Sequence, residues 1–479
     1  AVIKYLNLMY KRLLLTISIM GMMIQAQASH LLGGEIWSNV VVNQGTQQVE
    51  IWLTLYRDVQ GIALPSTSTV SLKNQSGSTS NFSLQRIATP VTLPGPSGLV
   101  SGYGIELNVY YGVFNLPAGT TSYTVAYSNC CRPMGISNMT NSGGESFWIS
   151  STNDISHGLN SNAYSLLPLA IYAQAGTPIS ISHQHMDLEG DSLAYYYAAP
   201  FSQQGQPVAG YSLPSGTASG PFSVDSISGL LTWTPAQQGV YAYRFIVHEY
   251  RKDSLNQFVK IGEKNRDMVF LVGPASSGGS SLSVSLGGTN GTLPNGVPFA
   301  EMKEGMVNSV TLTIGNIDST SFSADFYGEP LELDSANVNL VVTPSQQGSG
   351  TGVVEIQWAP SSQMVRTEPY MGTVRITVGG FTYDVLIGFK VLSTASIQEN
   401  ESMDAVLFPN PMIGEDVQVY HPSGVESWSL IDLSGRLIHS GKGSGAKYET
   451  IHLSGLSEGV FILQVKDQQG RIHVHRLIR

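Results

Sequence analysis

The sequence predicts an all-β chain of tandem sandwich modules, and three observations carry that expectation. Short period-two apolar runs recur along most of the length, no helical periodicity is sustained, and Gly- or Pro-bearing turns fall between the runs. Composition agrees: the 479 residues include 51 Gly and 23 Pro, and only 12% are charged, against roughly a quarter in ordinary soluble proteins. At about 100–200 residues per domain, the chain has room for three or four modules.

The elements follow in order. Lys4, Lys11 and Arg12 precede the apolar run Leu13 to Ile24, and Ala26-Gln27-Ala28 forms an A-x-A cleavage pattern before Ser29. Residues 1–28 therefore read as a secretory signal peptide, because the run is too short for a bilayer core that needs about 20 residues. No other segment is long and apolar enough to cross a membrane, so no transmembrane segment is expected in the mature chain. A first module spans 29–165, with strands at Val49 to Tyr56 and Tyr123 to Tyr127. A second spans 166–273, and the Gly/Ser run 274–281 is a flexible linker. The third, 282–392, has strands at Val310 to Ile314, Val353 to Trp358, Val374 to Val378 and Tyr383 to Ile387. Residues 393–403 form a second linker.

The last module, 404–479, carries the plainest hairpin pattern. Val417 to Tyr420 alternates, Trp428 to Leu433 follows, and Ser434-Gly435 turns the chain into Arg436-Leu437-Ile438. A second unit runs from Tyr448 through Leu453, turns at Glu458-Gly459 into Val460 to Val465, turns again at Gln469-Gly470 and closes at Ile472 to Ile478. That spacing describes an antiparallel sandwich of about seven strands.

Net charge is −10 and becomes −13 once the three cations of residues 1–28 are removed. Phosphate recognition needs clustered Lys and Arg, so nucleic acid is not an expected partner, and an anionic membrane surface is disfavoured for the same reason.

Candidate chemistry is sparse. Asp187, Glu189 and Asp191 set three carboxylates at alternate positions around Gly190, an oxygen-rich turn suited to a hard cation such as Ca²⁺, with Asp267 as a candidate further ligand. The same residues also make an ordinary solvated turn. Cys130 and Cys131 are adjacent and are the only cysteines; in an oxidising compartment they can close a vicinal disulfide, stay free or pair between chains. His183 and His185 have the spacing that puts two imidazoles on one strand face, either as metal ligands or as a polar face. His30, beside the expected new terminus Ser29, could in principle contribute to an amino-terminal copper clamp, or simply begin a first strand. Tyr103, Tyr110, Tyr111 and Tyr195 to Tyr197 are either contact residues or packing aromatics. No Gly-x-Ser-x-Gly elbow, His-Glu-x-x-His helix, phosphate loop or dinucleotide fingerprint occurs, so no cofactor is assigned beyond a possible Ca²⁺ and a non-catalytic chain is expected. The alternatives are a carbohydrate-active enzyme or protease with its site in the first module, or a glycan-binding module.

Several segments resemble known families. Phe408-Pro409-Asn410-Pro411, the Asp432 to Arg436 turn, Leu456 to Phe461 and the basic end His475-Arg476-Leu477-Ile478-Arg479 together resemble the C-terminal sorting domain of the type IX secretion system. That resemblance implies export through the periplasm to the surface or medium, with the translocon and sortase as partners. It further implies removal of the domain after translocation and attachment of the cargo to lipopolysaccharide. Ser29-His30 through Ile36, Leu55-Tyr56-Arg57-Asp58 and Cys130-Cys131-Arg132 resemble the N-terminal part of adhesin-like and gliding-motility-associated surface proteins, although Val59 stands where a Cys is common there. Asp187 to Leu193, Ser228 to Pro235 and Gly239 to Val247 resemble bacterial cadherin-like Ig modules. The combined expectation is an adhesin-like surface protein that contacts glycans, proteins or a solid substrate.

Overall fold

The computed structural model describes residues 30–43, 45–93, 104–169, 172–253, 255–275, 282–317, 322–343, 350–393, 405–412, 414–432 and 435–479. The expected signal peptide, most of both linkers and Tyr103 lie outside them. The described residues up to Ser393 form one compact unit and those from Ala405 another.

The fold is all-β. The first unit opens with β1 (Leu31–Asn43), β2 (Thr46–Asp58), β3 (Thr67–Asn74), β4 (Thr79–Arg86), β5 (Val91–Leu93), β6 (Ile105–Asn115), β7 (Ser122–Asn129), β8 (Phe147–Asp154) and β9 (Tyr164–Ser165). It continues with β10 (Tyr172–Gln174), β11 (Ile179–Ser182), β12 (His185–Met186), β13 (Ser192–Ala198), β14 (Ser223–Val224), β15 (Leu230–Trp233), β16 (Gly239–Lys252) and β17 (Phe258–Gly273). Period-two patterning does the local work. In β2, Val49, Ile51, Leu53 and Leu55 point inward and are buried, while Gln48, Glu50, Trp52 and Thr54 between them are half-buried on the other face.

Pairing runs β1–β2–β6–β4–β3–β7–β8 and does not stop at residue 165. One edge of β17 bridges the gap that remains: Gly262 to Lys264 lie opposite Asn153 to Ser151 of β8, and Arg266 and Asp267 lie opposite Glu35 and Gly34 of β1. Further along the same edge, Leu271 to Gly273 pair in parallel with β10. The other edge of β17 pairs along its length with β16, and β13 adds outside β16. The expected modules 29–165 and 166–273 therefore share one hydrogen-bonded sheet. The reason is geometric: a curled set of strands leaves two open edges, and the 16 residues of β17 are long enough to meet both. Gly262 is required at this crossing, because a Cβ there would collide with the Glu249 carboxylate folded over it.

Two cores result. Ile36, Ile51, Leu53, Tyr110, Val125 and Phe147 fill the first. Trp233, Tyr243, Phe245 and Phe270, with Ile181 and Leu231, fill the second. The segment 282–392 is a sandwich of a four-stranded and a five-stranded sheet closed over Trp358, Val374 and Phe389, with a short α-helix at Glu329–Asp334. A polar seam joins it to the preceding strands: Asp384 Oδ2 accepts the Ser182 N–H at 2.9 Å, and Arg375, paired to Asp384 at 2.8 Å, also donates to the Pro168 carbonyl at 2.6 Å.

The second unit is a sandwich of a three-stranded and a four-stranded sheet, built over Val417, Val419, Leu430, Leu463, Val465 and Leu477. Among the described residues, no helix is long and apolar enough to cross a membrane.

The shared sheet makes a specific demand on truncation. A fragment 29–165 exposes the β1 and β8 edges and leaves Glu35 without its cations, so it is expected to aggregate or unfold without cooperativity, whereas 29–273 should give a sigmoidal urea transition. A cooperative transition from 29–165 alone would show that β17 is dispensable to it.

Candidate functional site

The acidic turn connects β12 to β13, and Gly190, at φ 80°, supplies its left-handed residue. Asp187 Oδ1 accepts the N–H groups of Glu189 and Asp191 at 3.0 and 2.8 Å. Glu189 accepts the Ser161 hydroxyl at 2.8 Å, and Asp191 takes a two-pronged contact from Arg251, with Nε at 2.8 Å from Oδ1. The fold thus gathers the three carboxylates, each offering an oxygen within 4.8 Å of the others, and sets a guanidinium on one of them. Asp267 does not join them. It is buried on β17 and held by Arg132 Nη1 at 2.8 Å, because a carboxylate taken out of water needs a cation beside it. Asp187 Oδ2 is the one buried oxygen of the turn with no hydrogen-bond partner among the described residues. A calcium ion, which takes six to eight oxygens, would have to share Asp191 with Arg251. The turn also borders a cleft of about 770 Å³ in which Arg366 is fastened to both oxygens of Glu329 at 3.0 Å.

Cys130 and Cys131 are joined in a vicinal disulfide directly after β7, and neither thiol is free. The next residue, Arg132, turns inward to Asp267 and also donates to the Phe201 carbonyl at 2.9 Å.

His183 and His185 do not converge on a common point. His183 Nε2 lies 3.0 Å from the Tyr243 hydroxyl; His185 Nδ1 donates to the His183 carbonyl at 2.6 Å, and its Nε2 lies 3.0 Å from Ser165 Oγ. Burial, then the neighbouring cations, hold both imidazoles well below the usual histidine range. A Ser–His contact of this length suits an activated serine, but Ser165 Oγ has a single hydrogen, and the Glu35 carboxylate, which can only accept it, lies closer at 2.8 Å. Glu35 in turn meets Lys264 at 2.7 Å and Arg266 at 3.1 Å. Burial alone would raise its pKa; the two cations more than offset that and keep it ionised. Nearby, burial pushes the Glu249 carboxyl up to about 8, partly countered by the Ala163 N–H and Asn160.

The expected aromatic contacts divide. Tyr110 and Tyr195 are buried, Tyr110 donating to the Pro65 carbonyl at 2.8 Å. Tyr196 is exposed, and Tyr111 and Tyr197 are partly so. Two residues that sequence reasoning passed over join Tyr111: Trp37 on β1, Trp52 on β2 and Tyr111 on β6 lie directly opposite one another and half-buried on the outward face. Ring centroids step 5.6 Å from Trp37 to Trp52, with parallel planes, and 4.5 Å from Trp52 to Tyr111, while Tyr164 stands 6.4 Å beyond Trp37. A signal existed: the two tryptophans are equidistant from the Asn43–Thr46 turn, so hairpin register alone pairs them.

In the second unit, His421, Asp467 and His473 gather within 4.8 Å. Asp467 accepts the Gln469 and Arg471 N–H groups at 2.9 Å each and Arg471 Nε at 2.8 Å. Burial works against its ionisation, but these donors hold its pKa down to about 2. His421 Nδ1 accepts the Ser423 N–H at 3.2 Å, so the ring hydrogen sits on Nε2, facing the carboxylate. The group is a carboxylate enclosed by N–H donors that closes a turn, and the nitrogen aimed at its centre carries a hydrogen where a metal would need a lone pair.

Residues 406–479 match the family described as a secretion system C-terminal sorting domain. The chain ends in a sorting domain. It is thus cargo for that secretion machinery, sent across the outer membrane to the surface or medium, and the match assigns nothing to residues 30–393. Comparison with curated proteins gives no match. Similar solved structures include Bacteroides ovatus SGBP-B of a mixed-linkage glucan utilization locus, in complex with a mixed-linkage heptasaccharide (10% identity, 67% of this chain and 70% of that one, TM-score 0.14). They also include the ICAM-5 D1–D4 ectodomain fragment (11%, 93% and 98%, TM-score 0.18) and a biofilm associated protein BSP domain (8%, 95% and 98%, TM-score 0.14). TM-scores this low lend no weight to any activity.

Two outcomes follow from these contacts. Arg132→Met leaves Asp267 buried without its cation and is expected to cost about 3–5 kcal/mol in urea unfolding, with part recovered on adding Asp267→Asn; an unchanged midpoint would remove the pair from the fold's support. For Asp187, burial raises the carboxyl from its ordinary 3.8 to about 6, so the folded chain holds the extra proton and this group's contribution is lost as pH rises through that window. Asp187→Asn should therefore raise Tm at neutral pH and flatten the acid limb, with no response to chelator, whereas an ion bound in the turn would make both the substitution and the chelator lower Tm.

Proposed function

We propose that residues 30–393 are a non-catalytic, adhesin-like cargo whose contact face is the outward side of β1, β2 and β6. The observation that carries this reading is the half-buried aromatic rung Trp37–Trp52–Tyr111 on a sheet whose opposite face packs on a hydrophobic core. Rigid scaffolds that hold large side chains in place lose little side-chain freedom on contact, which favours binding. The reading is supported from the other side by how the ionisable groups are used: Glu35, Lys264, Arg266, Asp267 and Arg132 meet one another in the interior. The sorting domain supplies delivery through the type IX translocon and sortase, with lipopolysaccharide as the anchor.

Attachment of whole cells to a solid surface tests the proposal. Deleting the gene should reduce attachment, and a chain lacking residues 406–479 should stay in the periplasm and restore none of it. The secreted cargo, incubated with polysaccharide or protein substrates, should release no product. Attachment indifferent to the gene would overturn the adhesin reading, and turnover abolished by one acidic substitution would replace it with an enzyme.

A further inference from the structure

We infer that the outward face of β1, β2 and β6 binds a neutral, hydroxyl-rich polysaccharide laid along the aromatic rung. This rests on the contact face proposed above and names its partner. The rung crosses three hydrogen-bonded strands, so its rings are fixed at the spacing of the sheet, with Trp37 and Trp52 stacked and Tyr111 tilted against Trp52. Sugars present C–H faces that pack on aromatic surface and an equator of hydroxyls that both donate and accept hydrogen bonds, so a fitting site needs aromatic rings beside amides and a carboxylate.

The neighbouring rungs meet that requirement. Asn39, Glu50 and Val113 lie opposite one another in the next outward register, followed by Val41, Gln48 and Asn115. Glu50 is held in place from both sides, by the Asn39 amide at 3.2 Å and the Tyr111 hydroxyl at 3.2 Å. The Gln48 amide donates to Asn115 at 2.9 Å. Gln85 of β4 lies opposite Tyr111 and prolongs the polar border. Charge decides the polymer class: these outward positions hold one carboxylate and no Lys or Arg, so a sulfated or uronate chain would find no cation and one repulsive group.

Native affinity electrophoresis of the secreted cargo in gels containing hydroxyethylcellulose, galactomannan or dextran tests this, with dextran sulfate as the anionic comparison. Retardation by at least one neutral polymer is expected, with no retardation by dextran sulfate. Trp52→Ala and Trp37→Ala should weaken it about tenfold or more, Trp52→Phe should retain most of it, and Phe258→Ala, an exposed aromatic elsewhere, should leave it unchanged. Thermal unfolding of each variant separates lost binding from lost fold, and Trp52→Phe against Trp52→Thr gives the same contrast should alanine prove too disruptive. Wild-type mobility unaffected by every neutral polymer, or alanine variants retarded as strongly as wild type, would overturn the inference. If cells still attach in a gene-dependent way under that result, the adhesin reading stands with another partner, and if attachment is also absent both fall.

Discussion

Four consecutive residues of β17, Lys264-Asn265-Arg266-Asp267, are all buried, and the architecture of the first unit depends on their charges being met. Because successive side chains of a strand point to opposite faces, Lys264 and Arg266 go one way to Glu35, while Asp267 goes the other to Arg132 and Asn265 to Arg244 at 2.6 Å. Removing such groups from water is costly, and the mutual attraction repays it only in good geometry. These pairs are therefore weak as sources of net stability and strong as selectors. A slip of β17 by one or two residues would strand several buried charges, so only one register closes the sheet between β8 and β1.

That constraint organises the neighbours. Arg132 can reach Asp267 because the chain turns inward directly after the Cys130–Cys131 disulfide. The polar seam at Ser182, Arg375 and Asp384 then attaches the next sandwich by the same device of buried, mutually satisfied charge. With so much of its ionisable chemistry committed to the interior, the unit presents aromatic rings and amides on the outward face of β1, β2 and β6.

The acidic turn shows how much of a candidate cation site a local pattern can write. Alternate Asp and Glu around a glycine supply oxygens, and the sequence made that legible. Whether those oxygens await an ion depends on which cation already faces them, and here Arg251, 60 residues from Asp191, takes one carboxylate. Likewise, two histidines at alternate positions share a strand direction, but their ring nitrogens face different residues, Tyr243 for His183 and Ser165 for His185.

The sequence by itself determined the all-β class, the plainest strands and the terminal sorting domain. Val49 to Tyr56 lies within β2, Tyr123 to Tyr127 within β7, and the hairpin pattern from Val417 to Ile478 folds as the expected sandwich. These features are written in period-two alternation and in turn residues, which act over a few positions. Only the tertiary structure decided that β17 closes a sheet begun by β1, that Asp267 serves Arg132, and that Trp37, Trp52 and Tyr111 form one rung. The partners of the two charge contacts stand 231 residues apart for Glu35 and Arg266, and 135 apart for Arg132 and Asp267. A four-residue polar run reads locally as a loop, and it becomes a buried strand only when charges from distant segments arrive to neutralise it.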